Sequence, residues 1–161
     1  MLAMTSPAIR ITGVDFAYIP VTDFEAAKRF YGDVLGLEQS KQYGKMPGGE
    51  FETGTLTLQI LQPEAFGQQF NRNPNPIALH VDDVHEARAQ LESQGIEFLG
   101  ETMDSGVCHM AVFQDPDGHA LMLHHRYAPP EARPPGIDCA AAGRGSAAGP
   151  PIPSRVTIAA S

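Results

Sequence analysis

One pattern occurs twice in this chain, sixty residues apart, and any fold must accommodate two copies of a single unit. Asp15 to Gly36 reads DFAYIPVTDFEAAKRFYGDVLG, and Asn75 to Gly95 reads NPIALHVDDVHEARAQLESQG. Val21 matches Val81, Asp23 matches Asp83, Ala27 matches Ala87, Lys28 matches Arg88 and Tyr31 matches Leu91. Each copy is a short apolar strand, an aspartate-marked turn and a helix. In the first helix Thr22 or Asp23 caps the N-terminus, and Glu25 sits where a carboxylate suits the helix dipole. Ala27, Phe30, Tyr31 and Val34 or Leu35 recur at helical spacing until Gly36 ends the helix. In the second, Asp82 or Asp83 is the cap, Val84, Ala87 and Leu91 share one face, and Gly95 is the stop. These helices read as scaffold.

Strands follow each helix. In the first half Glu38 to Tyr43 is a weak strand, Lys45 to Gly49 a turn, and Gly54 to Leu61 (GTLTLQIL) an alternating strand. In the second half Ile96 to Leu99, Val107 to Gln114 and His119 to His125 play the same parts. The last of these follows Asp115-Pro116-Asp117-Gly118, strong turn chemistry because proline presets φ and glycine opens the fourth position. Side chains alternate along a strand, so Ala120, Met122 and His124 share one face, and Leu121, Leu123 and His125 the other. The organisation is an N-terminal arm (1–9), a first βαβββ module (10–62), a Gln/Asn/Pro-rich linker (63–76), a second module (77–127) and a tail (128–161). From Tyr127 on, the chain holds seven of its fourteen prolines and little apolar periodicity, so disorder is expected there. A short pairing role for Arg155 to Ile158 has little in its favour.

Charge narrows the partners. Eleven basic residues against nineteen acidic give a net charge of -8, which argues against nucleic acid or an anionic membrane surface. No apolar run approaches the roughly 20 residues of a membrane helix. MLAMTSPAIR lacks a basic segment followed by a long apolar one, so no secretory leader is expected. Cys108 and Cys139 are the sole cysteines and have no metal-finger spacing, which fits a reduced, cytoplasmic setting.

The doubled βαβββ unit, with VTDFEAAKRFYGDVLGLE in the first half and FQDPDGHALML closing the second, resembles the vicinal oxygen chelate superfamily. Its branches include glyoxalase I, extradiol dioxygenases, fosfomycin-resistance enzymes and bleomycin-binding proteins. The resemblance covers roughly residues 10 to 127. It implies an α+β fold in which two modules form a curled mixed sheet around a shared cavity. It also implies a homodimer, since the modules pair within one chain or between two. In the family's enzymes His or Glu from the first and last strand of each module hold a divalent metal, which polarises vicinal substrate oxygens. Carried over, the first-strand positions are Phe16 and Pro76. The last-strand positions are Met122 and Leu58, or Gln59 if the register slips by one. None of Phe16, Pro76, Leu58 or Met122 is a plausible ligand for Mg, Mn, Fe, Ni or Zn.

If that register holds, Tyr18, His80 and His124 face the cavity beside Phe16, Leu58, Pro76 and Met122, making an apolar pocket with a few polar groups. Tyr18 offers a phenolic donor and a stacking surface. The histidines are hydrogen-bond partners, bases or displaced metal ligands, although an imidazole on an apolar strand commonly serves packing instead. His124 and His125 end a strand beside Arg126, where solvation also explains them. The Cys108-His109 pair lacks a third orienting group nearby in sequence. His119 and His85 read as surface residues, Glu50 or Glu52 as reaching the cavity mouth, and Asp115 and Asp117 as turn residues. Two functions follow. The favoured one is a metal-independent protein that binds or sequesters a planar or amphipathic small molecule, with no cofactor. The other is a glyoxalase-like lyase, isomerase or dioxygenase with a relocated metal site built from His80 and His124, joined by His109 or Glu52. A third reading is an accessory domain whose cavity is vestigial.

Overall fold

The computed structural model describes residues 11–129, all within one compact unit. The N-terminal arm and the tail from residue 130, with Arg155 to Ile158, lie outside the described residues. The first module runs β1 (Phe16–Pro20), α1 (Phe24–Lys28), β2 (Glu38–Gln42), β3 (Gly48–Glu52) and β4 (Thr57–Leu61). The second runs β5 (Ile77–His80), α2 (Val84–Ser93), β6 (Met103–Asp104), β7 (Cys108–Gln114) and β8 (Ala120–Arg126). Each module is a four-stranded sheet of the same order, β1-β4-β3-β2 and β5-β8-β7-β6. First and last strands run parallel in both, and the remaining pairs are antiparallel. This is the α+β architecture that the resemblance implies.

Both helices start as their sequences dictate. The Asp23 carboxylate accepts the Ala26 N–H, and that of Asp83 accepts the N–H groups of His85 and Glu86. They differ afterwards, because α1 continues as π-helical turns over Arg29–Val34, with Leu35 N donating to Phe30 O. The repeat explains this. Tyr31 stands five residues before its terminal glycine and Leu91 four before its own, so the first helix accommodates one inserted residue by widening. The widened stretch buries two consecutive aromatics, Phe30 and Tyr31, edge to face at 5.2 Å.

Alternation along the strands puts Ile19, Phe51, Leu58 and Ile60 on the helix side of the first sheet. Ala111, Phe113, Leu121 and Leu123 occupy that side of the second. These residues and the helices' apolar faces form one continuous core. The modules are also clasped by polar groups. Asp115, only 5% exposed, accepts from the Tyr31 phenol at 2.8 Å and from the backbone N–H groups of Asp117 and His119. Asp117 accepts from the Thr22 amide and hydroxyl. His119 accepts the Asn73 N–H on Nδ1, which leaves its Nε2–H to donate to the Pro20 carbonyl.

Several boundaries move from the sequence reading. The expected turn at Lys45 to Gly49 gives way to β3 from Gly48 onward. The strand expected from Gly54 starts at Thr57, because Gly54 takes φ +89° in a turn where the Thr53 hydroxyl bonds both N–H and C=O of Leu56. Ile96 to Leu99 contributes a single bridge, Phe98 to Phe113, rather than a strand. His119, expected at the surface, is 3% exposed and sits in the clasp. The linker carries a 3₁₀ turn, Pro63–Phe66, and its Phe70 ring packs edge-on against His119 at 5.6 Å.

Candidate ligand-binding face

The face of each sheet turned away from the helices is open, and its composition follows from strand register. Phe16 pairs with Thr57 and Tyr18 with Gln59 across β1 and β4, while Glu50 faces Gln59 and Glu52 faces Thr57 across β3 and β4. All six lie on the open face. Leu58 does not: it is fully buried on the helix side, and Gln59 takes the open position assigned to it. The repeat carries the reason. Ala17 and Ile77 are sixty residues apart, but their partners Leu58 and Leu121 are sixty-three apart, so one offset cannot align both ends of the modules.

Polar groups on this face form an ordered array. The Gln59 amide donates to the Tyr43 phenol oxygen at 2.9 Å, and that phenol donates to Glu50 at 2.7 Å. Glu52 accepts from the Ser40 and Thr57 hydroxyls at 2.6 and 2.9 Å, bonds that hold its carboxyl below the ordinary range. Partial burial, and then the Glu50 hydrogen bond, raise the Tyr43 pKa. Burial, followed by the charge of Glu64, raises that of Tyr18. Both phenols therefore stay protonated at neutral pH and serve as donors. Phe16 and Tyr18 beside them are 51% and 40% exposed, a large apolar surface for two strand residues.

In the second module Ala78 and His80 pair with Met122 and His124, so these four share the open face. Pro76 is exposed one residue before β5. The His80 ring stacks on His125 at 5.8 Å, and His125 Nδ1 is bonded to the Val81 carbonyl oxygen. Alternation separates Cys108 from His109. The buried thiol lies 3.0 Å from the Ser105 hydroxyl, while the imidazole packs against His85 and Tyr127 with Asp104 at 3.6 Å. These two do not form a nucleophile–base pair.

The positions that the resemblance assigns to metal ligands are, in the observed register, Phe16, Gln59, Pro76 and Met122. They supply one amide and one thioether, and the amide is already engaged by Tyr43. Among the described residues no three His, Cys, Asp or Glu side chains converge on a point. This donor set does not fit a hard or borderline divalent cation, which takes imidazole and carboxylate ligands. Sequence reasoning missed Tyr43 and the role of Gln59. The Glu50 and Glu52 alternation with Phe51 was the available signal for that array.

No helix among the described residues is long and apolar enough to cross a membrane. Comparison with known proteins places this geometry. The chain is 22% identical over 107 residues to YetH of Bacillus subtilis, a match covering 64% of the chain and 89% of that protein. Its structure superposes on TnmS3, an antibiotic-binding protein from Streptomyces sp. CB03234, with a TM-score of 0.63 at 24% identity, covering 74% of this chain and 99% of that one. A lactoylglutathione lyase from Agrobacterium tumefaciens gives 0.62 at 18% identity, covering 71% and 94%. At such identities a shared fold is what these structures show, and that fold hosts both binding and catalysis. The family model matches residues 13–123, the span of both modules, and the chain belongs to the Glyoxalase/Bleomycin resistance protein/Dioxygenase superfamily.

Proposed function

We propose that the protein binds a planar or amphipathic small molecule on the open sheet face without a metal ion. The observation that carries this reading is the replacement of the family's ligand positions by Phe16, Gln59, Pro76 and Met122. Phe16 and Gln59 share the first module's open face with half-exposed Tyr18 and the Gln59–Tyr43–Glu50 array, and Met122 lies on the open face of the second module. Phe16 and Tyr18 supply stacking surface, Tyr18 a hydrogen-bond donor, and His80, Met122 and His124 the lining of the second module. A second copy pairing on these faces would enclose the ligand, so the assembly is read as a homodimer. The buried, reduced Cys108 fits a cytoplasmic setting. TnmS3, an antibiotic-binding protein of the same fold, is in keeping with a binding role.

The test begins with elemental mass spectrometry on protein purified without chelator or metal-affinity resin. Metal well below one ion per chain, unchanged after incubation with Mn, Fe, Ni or Zn, is the expected result. A thermal-shift panel of planar aromatic antibiotics then yields a stabilising ligand. Joint Phe16→Ala and Tyr18→Ala substitution weakens that ligand by about tenfold or more, the equivalent of about 1.4 kcal/mol. Near-stoichiometric metal would overturn the reading. It would favour the alternative, an enzyme with a metal held by His80 and His124, which face each other across β5 and β8.

A further inference from the structure

The two junctions between the modules are built from equivalent elements and are filled differently. At one, α1 and its π-helical continuation present Ala27, Phe30 and Tyr31, and both aromatics are buried. Sixty residues on, α2 presents Ala87, Gln90, Leu91 and Gln94. His119, the residue before β8, is held by Asn73 and Pro20 and has Leu56, the residue before β4, as its counterpart sixty-three residues earlier. Where the first junction has Phe, Tyr and His, the second has Gln, Leu and Leu. Linker residues Phe70 and Asn73 further cover the first junction.

The missing bulk leaves a cavity of about 430 Å³ at the second junction. Leu37, Leu56, Leu58, Leu79 and Leu91 line it, and none of its lining residues is an Asp, Glu, Lys or Arg. It follows all four residues of β5 and the next one, Val81. β5 is an edge strand among the described residues, so its outer N–H and C=O groups are free to meet a guest. Thr53, Thr55, Gln90 and Gln94 add neutral hydrogen-bonding groups. An aliphatic chamber of this size with a few neutral polar groups has the make-up of a small-molecule site, where volumes run about 300–1,000 Å³.

We infer that this cavity is a second binding site, distinct from the open sheet face, for a small, uncharged, largely apolar molecule. A charged guest would lose its hydration with no carboxylate, ammonium or guanidinium group among the lining residues. The two sites meet at β5, where Ala78 and His80 also line the cavity, but Phe16, Tyr18, Met122 and His124 take no part in it, so the inference does not rest on the open-face reading.

The test titrates the full chain with N-phenyl-1-naphthylamine, an uncharged apolar fluorophore whose emission rises out of water. Saturable enhancement at one site per chain is expected. Gln90→Phe transplants the Phe30 side chain of the filled junction onto an exposed position of α2, and it should weaken the probe by about tenfold or more. Ala87→Phe fills the cavity from one turn earlier and should do the same. The Phe16→Ala, Tyr18→Ala protein should bind the probe as the wild type does. Absence of saturable binding would overturn the inference, as would binding undiminished in a cavity variant that keeps the wild-type melting temperature. Loss in the open-face variant alone would overturn it too and would move the probe to the sheet face. If one cavity variant melts early, the other decides. The outcome leaves the metal measurement and antibiotic panel untouched, so the two proposals fail separately.

Discussion

Asp115→Ala should cost about 3–5 kcal/mol of folding stability, because it strips the acceptor from three donors at once and an unmet buried donor costs about 1–3 kcal/mol. Those donors are the Tyr31 hydroxyl and the N–H groups of Asp117 and His119, and Tyr31 and His119 are themselves buried. Asp115→Asn should be far milder. Both backbone N–H groups bond to one carboxylate oxygen, Oδ1, which the amide oxygen can replace. The Tyr31 hydroxyl bonds to the other, and it can turn to accept from the new NH₂. What remains is loss of charge assistance, about 1 kcal/mol. Acidity gives a second signature. Burial raises the Asp115 pKa, outweighing the hydrogen bonds from His119 and Tyr31 that lower it. With the folded pKa above the unfolded one, the folded state holds the proton more tightly. The contribution of this carboxyl is therefore greatest below the ordinary carboxylate value and declines as pH rises through its raised folded value. The wild type should gain on the Asn variant as pH falls from 7 to 4. Urea unfolding of the three proteins at both values measures this. An Ala variant within 1 kcal/mol of wild type would show that water replaces the carboxylate and that the clasp contributes little.

How much of this was legible in the sequence depends on how local each signal is. Asp23 and Asp83 announce helix starts because capping involves residues two or three positions away. The repeat announced the topology because each module carries its own helix and strands. Strand β3 was missed because GGEFE opens on two glycines, and the Glu50-Phe51-Glu52 alternation that remains is too short to mark a strand by itself. The Leu58–Gln59 choice turns on how far β4 slides along β1, a long-range pairing that a three-residue difference between modules obscures. The DPDG turn was readable as a turn, whereas its clasp on Tyr31 and Thr22 joins residues 84 and 95 positions apart. The second-junction cavity is legible only by subtraction. Once the modules are superposed, Gln90, Leu91 and Leu56 stand where Phe30, Tyr31 and His119 fill the other junction.

Gly49→Ala should destabilise the protein by about 2–3 kcal/mol and disorganise the open face along with the fold. A Cβ on Gly49 would lie 2.6 Å from the Lys41 carbonyl oxygen, 2.9 Å from the Gln39 amide nitrogen and 3.2 Å from the Phe24 ring. Gln39 and Phe24 can give way by rotation. The Lys41 carbonyl belongs to the backbone of β2, in a stretch already irregular between Gln39 and Lys41, so β2 must move away from β3. That motion is transmitted to Glu50, the next residue, and through it to Tyr43 and Gln59, which reach Glu50 in two hydrogen bonds. The ligand found by the thermal-shift panel should therefore bind the variant more weakly even at temperatures where it is fully folded. Gly54→Ala is the control. Its positive φ carries a strain of about 1 kcal/mol for an L-residue, yet nothing lies within 4 Å of the added carbon. It should lower the melting temperature slightly and leave binding intact. Denaturant unfolding and ligand titration of both variants separate the two effects. Undiminished binding by a destabilised Gly49→Ala protein would remove the Glu50–Tyr43–Gln59 array from the recognition surface and leave Phe16 and Tyr18 to carry it.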